Sequence, residues 1–148
     1  MSYTSLLYHI VFSTKERRPL FKRGLRDRTI RYIGGVTREL NGQLLKAGGA
    51  DDHLHVAATI HPTIAVADFI GKIKAAATGW IHKTFDKMSD FWWQDGYAAF
   101  SVSPSVMAKV KEYIAAQEEH HKKVTFQEEL IALLEKHGLQ YDERHIWT

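Results

Sequence analysis

The chain has 148 residues, 45% of them apolar and 25% charged, an ordinary globular balance that argues against wholesale disorder and fits a single domain, 1–148, with a real core. It contains no cysteine, which excludes a disulfide framework, a thiolate zinc site and a cysteine nucleophile and suits a reducing cytoplasm. Net charge is only +3, but ten Lys/Arg face three Asp/Glu between Lys15 and Lys46, so a polyanionic partner or a solvated cationic helix face is expected of the N-terminal third.

The first segment, "SLLYHIVFST", alternates and is rich in aromatic and β-branched residues, so a strand is expected at about residues 5–13, with Leu6, Tyr8, Ile10 and Phe12 on one face. Positive charge follows this apolar run, opposite to a secretory signal, and no run approaches the roughly 20 residues of a membrane span. Pro19 interrupts "TKERRPLF". Residues 23–41 carry a helical stripe (Leu25, Tyr32, Ile33, Val36, Leu40) with Arg23, Arg26, Arg28 and Arg31 largely outside it, and Asn41-Gly42 suits a positive-φ ending.

"GQLLKAGGA" and "HLHVAATI" read as a hairpin across an acidic connection, closed by Pro62. Val66, Phe69, Ile70, Ile73, Ala77, Trp80, Ile81 and Phe85 then keep helical spacing over about five turns. Strand character returns at residues 97–103, and Ser103-Pro104 caps a helix carrying Val106, Val110, Tyr113, Ile114 and Gln117. A capping box, "TFQE", opens a last helix through Leu134, stopped by Gly138. The first six elements, β-α-β-β-α-β, match the α+β, ferredoxin-like split βαβ plan, an antiparallel sheet to which C-terminal helices are added.

Two motifs carry chemistry. In "DDHLH" the alternation of a strand turns His53 and His55 to one face and Leu54 to the other. Alone, this spacing also arises by chance on half-buried strands. In "YIAAQ" the four-residue spacing stacks Tyr113 and Gln117 on one helix face, although tyrosine on an apolar stripe is usually core. Together, two imidazoles and an amide oxygen leave coordination positions open. That suits Mg²⁺ or Mn²⁺ bridging to phosphate better than a closed tetrahedral zinc site, with a tyrosine beside it as a possible nucleophile.

These residues carry a resemblance to the single-tyrosine HUH transposases of 200/605-type bacterial insertion sequences. "YHIVFSTKERRPLF", "DDHLH", "GKIKAAATGWIHKTF", "FWWQDGYAAFSVSPS", "YIAAQEEHH" and "TFQEEL" resemble that family's successive segments in order. The resemblance implies that His53 and His55 are metal ligands, Gln117 the third ligand and Tyr113 the nucleophile. It implies Mg²⁺ or Mn²⁺-dependent cleavage and rejoining of single-stranded DNA through a 5′-phosphotyrosine. It further implies recognition of a subterminal hairpin, and a bacterial, cytoplasmic homodimer whose tyrosine helix serves the partner's histidines. One departure is "VAATI" after the histidines, smaller and more polar than the family's aliphatic run.

Supporting roles are broader. Lys15, Arg17, Arg18, Arg23, Arg26, Arg28, Arg31, Lys72, Lys74 and Lys83 are candidates for DNA phosphates, and Trp92, Trp93 and Tyr97 for stacked bases or for core. His120 and His121 follow Gln117, and surface or supporting roles are expected of them rather than ligation. Asp51 or Asp52 can orient an imidazole or simply make the turn. The alternatives are a non-catalytic hairpin-binding protein of the same fold, a domesticated relative, and a zinc hydrolase, the last disfavoured because no carboxylate or third histidine sits at an obvious ligand spacing.

Overall fold

The structure is a computed structural model, and it describes residues 1–147. Four strands, β1 (Leu7–Ser13), β2 (Gln43–Ala50), β3 (His53–Thr59) and β4 (Ala98–Ser101), form one antiparallel sheet in the order β2-β3-β1-β4. Helices α1 (Arg23–Glu39) and α2 (Val66–Thr84) complete the ferredoxin-like plan. The C-terminal elements are α3 (Met107–Ala115), the short α4 (Gln117–His120) and α5 (Phe126–Lys136). Among the described residues, no helix is long and apolar enough to cross a membrane.

Alternation along the strands divides the sheet into two unlike faces. Ile10, Phe12, Leu54, Val56 and Ala58 point toward α1 and α2, where they meet Ile33, Phe69, Ile70, Ile73, Ala77 and Ile81 in one buried cluster. Burying one such aliphatic side chain is worth about 1.5–3 kcal/mol, so this layer holds the fold. His53 and His55 face the other way, into the space under α3, α4 and α5, beside Val11 and Ala57.

Small side chains govern that second face. A Cβ built on Gly48 meets the Ile114 carbonyl oxygen at 2.5 Å, so α3 lies on β2 with no room for a side chain between them. Ala57 packs under Met107 and Ile114 in the same layer. The "VAATI" departure thus has a packing reason: small residues let α3 come down onto the sheet.

Several expected boundaries shift by a residue or two, and one expectation is corrected. The helix drawn from Ser103-Pro104 through Gln117 is a 3₁₀ turn at Pro104–Val106, then α3, then a break at Ala116 (φ −93°, ψ 12°), then α4. Asn41 does adopt positive φ (61°), and Thr125 and Glu128 form the reciprocal capping box.

Candidate metal and nucleophile site

The two-residue turn at Asp51-Asp52 brings β3 in with its first residue already aimed. The main-chain oxygen of Asp52 accepts from Thr14 N–H (2.9 Å), and its carboxylate lies 2.7 Å from His53 Nδ1. Asp52, not Asp51, therefore orients the imidazole, while Asp51 accepts from Lys22 Nζ at 2.7 Å. His53 and His55 are fully buried, their Nε2 atoms toward the C-terminal helices.

Tyr113 and Gln117 reach the same point despite the break between them. The Gln117 Oε1 lies 2.9 Å from His53 Nε2, and its amide nitrogen donates to Glu129 Oε2 at 2.9 Å. The Tyr113 hydroxyl donates to the same carboxylate oxygen of Glu129. The sequence expectation placed Tyr113 opposite the histidines of another subunit; here all four residues meet within one chain.

Two residues at the centre were missed from sequence. Glu129 is buried on α5, and its Oε1 lies 2.9 Å from His55 Nε2, 2.9 Å from His121 Nε2 and 3.5 Å from His53 Nε2. Its signal was a carboxylate at a position where the α5 stripe of Phe126, Leu130 and Leu133 wants an apolar residue. His9, on the site face of β1, places Nε2 2.8 Å from His55 Nδ1. His121, expected at the margin, is one of four residues (with His53, His55 and Glu129) whose donor atoms all lie within 4.8 Å of one another.

Burial and charge set the protonation of this cluster. Burial, then His55, pushes His9 down to about 3, and burial takes His55 down to about 4 against the pull of Glu129. A neutral imidazole is the form that binds a cation. Burial works to raise Glu129, but hydrogen bonds from His121 and His55 prevail and hold it well below the usual carboxylate range. Burial likewise opposes charge on His121, yet Glu129 raises it above its ordinary value. The Tyr113 phenol is raised, by burial first and then by the Glu129 carboxylate.

The residues fit a divalent cation. His53 faces oxygen from both ring nitrogens, Asp52 at Nδ1 and Gln117 and Glu129 at Nε2, and a neutral imidazole has one proton for them. With that proton on Nδ1, a cation at Nε2 satisfies the other side. His53, His55 and the Gln117 oxygen are the groups that would hold it, with the Glu129 carboxylate beside them.

The candidate phosphate ligands divide sharply. Arg26 is buried: its side chain is 4% exposed, it donates to the Phe21 carbonyl (2.6 Å), and it pairs with Glu118 and Asp51. Lys74 is half-buried and donates to the carbonyls of Gln94 and Gly96, both at 2.8 Å, a loop-fastening role. Arg23 joins Glu118 and holds that carboxyl down to about 2, Arg18 pairs with Asp90, Arg28 stacks on Phe85 and Trp80, and the half-buried Arg17 lies over Trp147. Lys15, Arg31, Lys72 and Lys83 are exposed. Trp93 is core, packed on Phe12, Phe21 and Phe91, whereas Trp92 and Tyr97 are about half exposed.

Two grooves open on the site. One of about 650 Å³ runs past Lys22, Arg23, Asp52, His121 and Gln127. The other, about 520 Å³, is lined by Tyr113 with His9, Phe100, Lys109 and Lys136.

The family model described as "Transposase IS200 like" matches residues 2–117. A transposase for insertion sequence element IS200 from Salmonella typhimurium is 31% identical over 125 residues, which cover 78% of each chain, and one from Salmonella typhi matches equally. Among solved structures, a candidate transposase of Deinococcus radiodurans R1 superposes with a TM-score of 0.65 at 20% identity, covering 79% of this chain and 95% of that one. A REP-associated tyrosine transposase bound to a REP hairpin gives 0.62 at 14% identity, covering 84% and 76%. The two structures share the fold, and the family-model match spans the strand that carries both histidines and ends at Gln117: the chain belongs to the IS200-like transposase family.

Proposed function

We propose that this protein cleaves and rejoins single-stranded DNA at insertion-sequence ends, with Tyr113 as nucleophile. The observation that carries the reading is the convergence on Glu129: one carboxylate holds the Tyr113 hydroxyl, the Gln117 amide and the His55 imidazole. One carboxylate thereby bridges the nucleophile to the groups that would hold the metal.

His53, His55 and Gln117 would hold Mg²⁺ or Mn²⁺, which supplies a Lewis acid for the scissile phosphate. Asp52 and His9 orient the two imidazoles from behind. The Tyr113 oxygen forms a bond to phosphorus as the bond to the 3′ oxygen breaks; the phenol gives up its proton and the departing 3′ oxygen takes one up. The products are a 5′-phosphotyrosine and a free 3′-hydroxyl. Phenol ionises near pH 10, far below an alcohol, so the phenolate is the better leaving group and an incoming 3′-hydroxyl can reverse the step. The groove lined by Tyr113, Lys109 and Lys136 supports a strand at the nucleophile, with the two lysines available to its phosphates.

The hairpin bound by the structurally similar REP-associated transposase supports a folded single strand as the partner here. A homodimer belongs to the same reading, with each chain carrying a complete set of site residues. The test incubates the protein with single-stranded DNA from its own genomic flanks and Mn²⁺ or Mg²⁺, and resolves the products on a denaturing gel. The wild type forms a protein–DNA adduct; Tyr113→Phe forms none and still retards the DNA on a native gel. An adduct undiminished in Tyr113→Phe, or no adduct from the wild type on any flank, overturns the assignment.

A further inference from the structure

We propose that the groove beside Tyr113 is a nucleobase subsite, in which the first unpaired base on the 3′ side of the scissile phosphate stacks on the His137 imidazole against a valine wall. The inference rests on the cleavage reading above and deepens it by naming where the strand retained on the tyrosine is gripped.

Three elements make the groove. β4 supplies Phe100, and α5 supplies Lys136 and its capping residue His137. Val106, Val110 and Tyr113 come from the 3₁₀ turn at Pro104–Val106 and from α3, and spacings of four and three residues set them on one side of that segment. The valine wall therefore runs directly to the nucleophile's ring. At about 520 Å³ the groove lies within the roughly 300–1,000 Å³ range of pockets that take small organic molecules.

The His137 ring is an anchored platform. One face lies on Phe100, with centroids 4.1 Å apart and planes 20° from parallel. The Leu133 carbonyl accepts from Nδ1 at 2.8 Å, which fixes the ring's rotation. His137 is exposed, so its outer face is open to a flat ring arriving from solvent. Val106 is 43% exposed and gains burial when such a ring arrives. Stacking on an aromatic side chain suits every base, since each has a π face. The subsite thus requires a base without choosing which one.

Charge favours a nucleotide over other flat molecules. Among the described residues that line this groove there is no carboxylate, and Lys109 and Lys136 stand ready for the flanking phosphates. The larger groove, by contrast, carries Asp51, Asp52 and Glu118. The course of the displacement then fixes which base is held. Attacking and leaving oxygens lie in line, so the 3′ oxygen departs on the side away from Tyr113. The nucleotide on the 5′ oxygen stays bonded through the phosphotyrosine, and its base is the one within reach of the groove.

The experiment measures binding of a deoxythymidine pentamer carrying a 5′-phosphate and a 3′-fluorophore, by fluorescence anisotropy. Two controls replace the first or the fifth nucleotide by an abasic sugar. The wild type binds the intact pentamer about tenfold or more tighter than the one lacking its first base, and loses much less when the fifth base is missing. His137→Ala and Val106→Asp each weaken the intact pentamer to the level of the first-abasic one and no longer distinguish the two. Equal wild-type affinity for the intact and first-abasic pentamers overturns the proposal, as does discrimination retained in both variants. Circular dichroism identifies a variant that fails to fold, and the other variant then decides. Binding is read without cleavage, so the two readings separate. An adduct without discrimination removes the subsite alone, and discrimination without an adduct keeps the subsite and removes the cleavage.

Discussion

Along β3, neighbouring side chains belong to different worlds. Leu54 and Val56 enter a layer under α1 and α2 lined by aliphatic and aromatic residues, whereas His53 and His55, one residue away, enter a cluster of imidazoles, an amide, a phenol and a carboxylate. The first layer is stabilised by area removed from water and tolerates no polarity without loss. In the second, each polar group is buried with a partner, and its value to the fold is close to neutral. A sheet this thin can separate stability from chemistry because the side-chain period of a strand is two. Each face can then be altered without changing the residue types of the other.

The largest effect expected is on the apolar side. Leu54→Ala, fully buried, loses roughly 2–5 kcal/mol in urea or thermal unfolding, yet the folded fraction at low temperature still forms the DNA adduct. If instead the adduct is lost while stability holds, the division between the faces fails.

Acid probes the other side. His9 and His55 are held at about 3 and about 4, below the 6.5 of the unfolded chain. Their neutral forms are favoured by folding, so their contribution is fully present above pH 6.5 and is lost as pH falls toward those folded values. His121, raised by Glu129, has the opposite sign and adds stability at low pH that fades as pH rises through its folded value. The two lowered histidines prevail, and the ion-free protein loses on the order of 2 kcal/mol at pH 5 for each of them, before that offset. The measurement is thermal unfolding between pH 7.5 and 5; a flat profile counts against a neutral, buried pair.

Gly48→Ala is expected to cost roughly 1–3 kcal/mol, because the added methyl needs 2.5 Å from the Ile114 oxygen to become a contact distance. Adduct formation falls by more than the stability change accounts for, since Tyr113 rides on the displaced helix. The smallest effect belongs to Arg31, exposed on α1: Arg31→Ala leaves unfolding unchanged and reduces the slope of log affinity for single-stranded DNA against log salt by roughly 0.7. An unchanged slope removes Arg31 from the DNA surface.

Much of this layout was legible in the sequence. The α2 stripe, the capping box at Thr125 and the H-x-H alternation are local patterns, written in the periods of a helix and a strand. Tyr113 and Gln117 were legible for the same reason, though the break at Ala116 was not, since nothing between them disfavours a continuous helix. Glu129 and His9 escaped because their meaning depends on which helix lands on which face and on the β1–β3 register that sets His9 diagonal to His55. The burial of Arg26 was illegible for the same reason: a cation off an apolar stripe usually faces water, and only the arrival of Glu118 and Asp51 from distant segments offsets its burial.

The seat of α3 at Gly48 has one more consequence. Most helices ride on a cushion of side chains, whose rotamers can absorb a substitution and let the helix settle a little higher or lower. Here one backbone rests directly on another, at a separation set by atomic radii alone. The height of the nucleophile above the sheet is therefore a fixed tolerance, machined into position 48 by the only residue with nothing to remove. Mutations elsewhere in the core can loosen the protein, but few of them can change that gap.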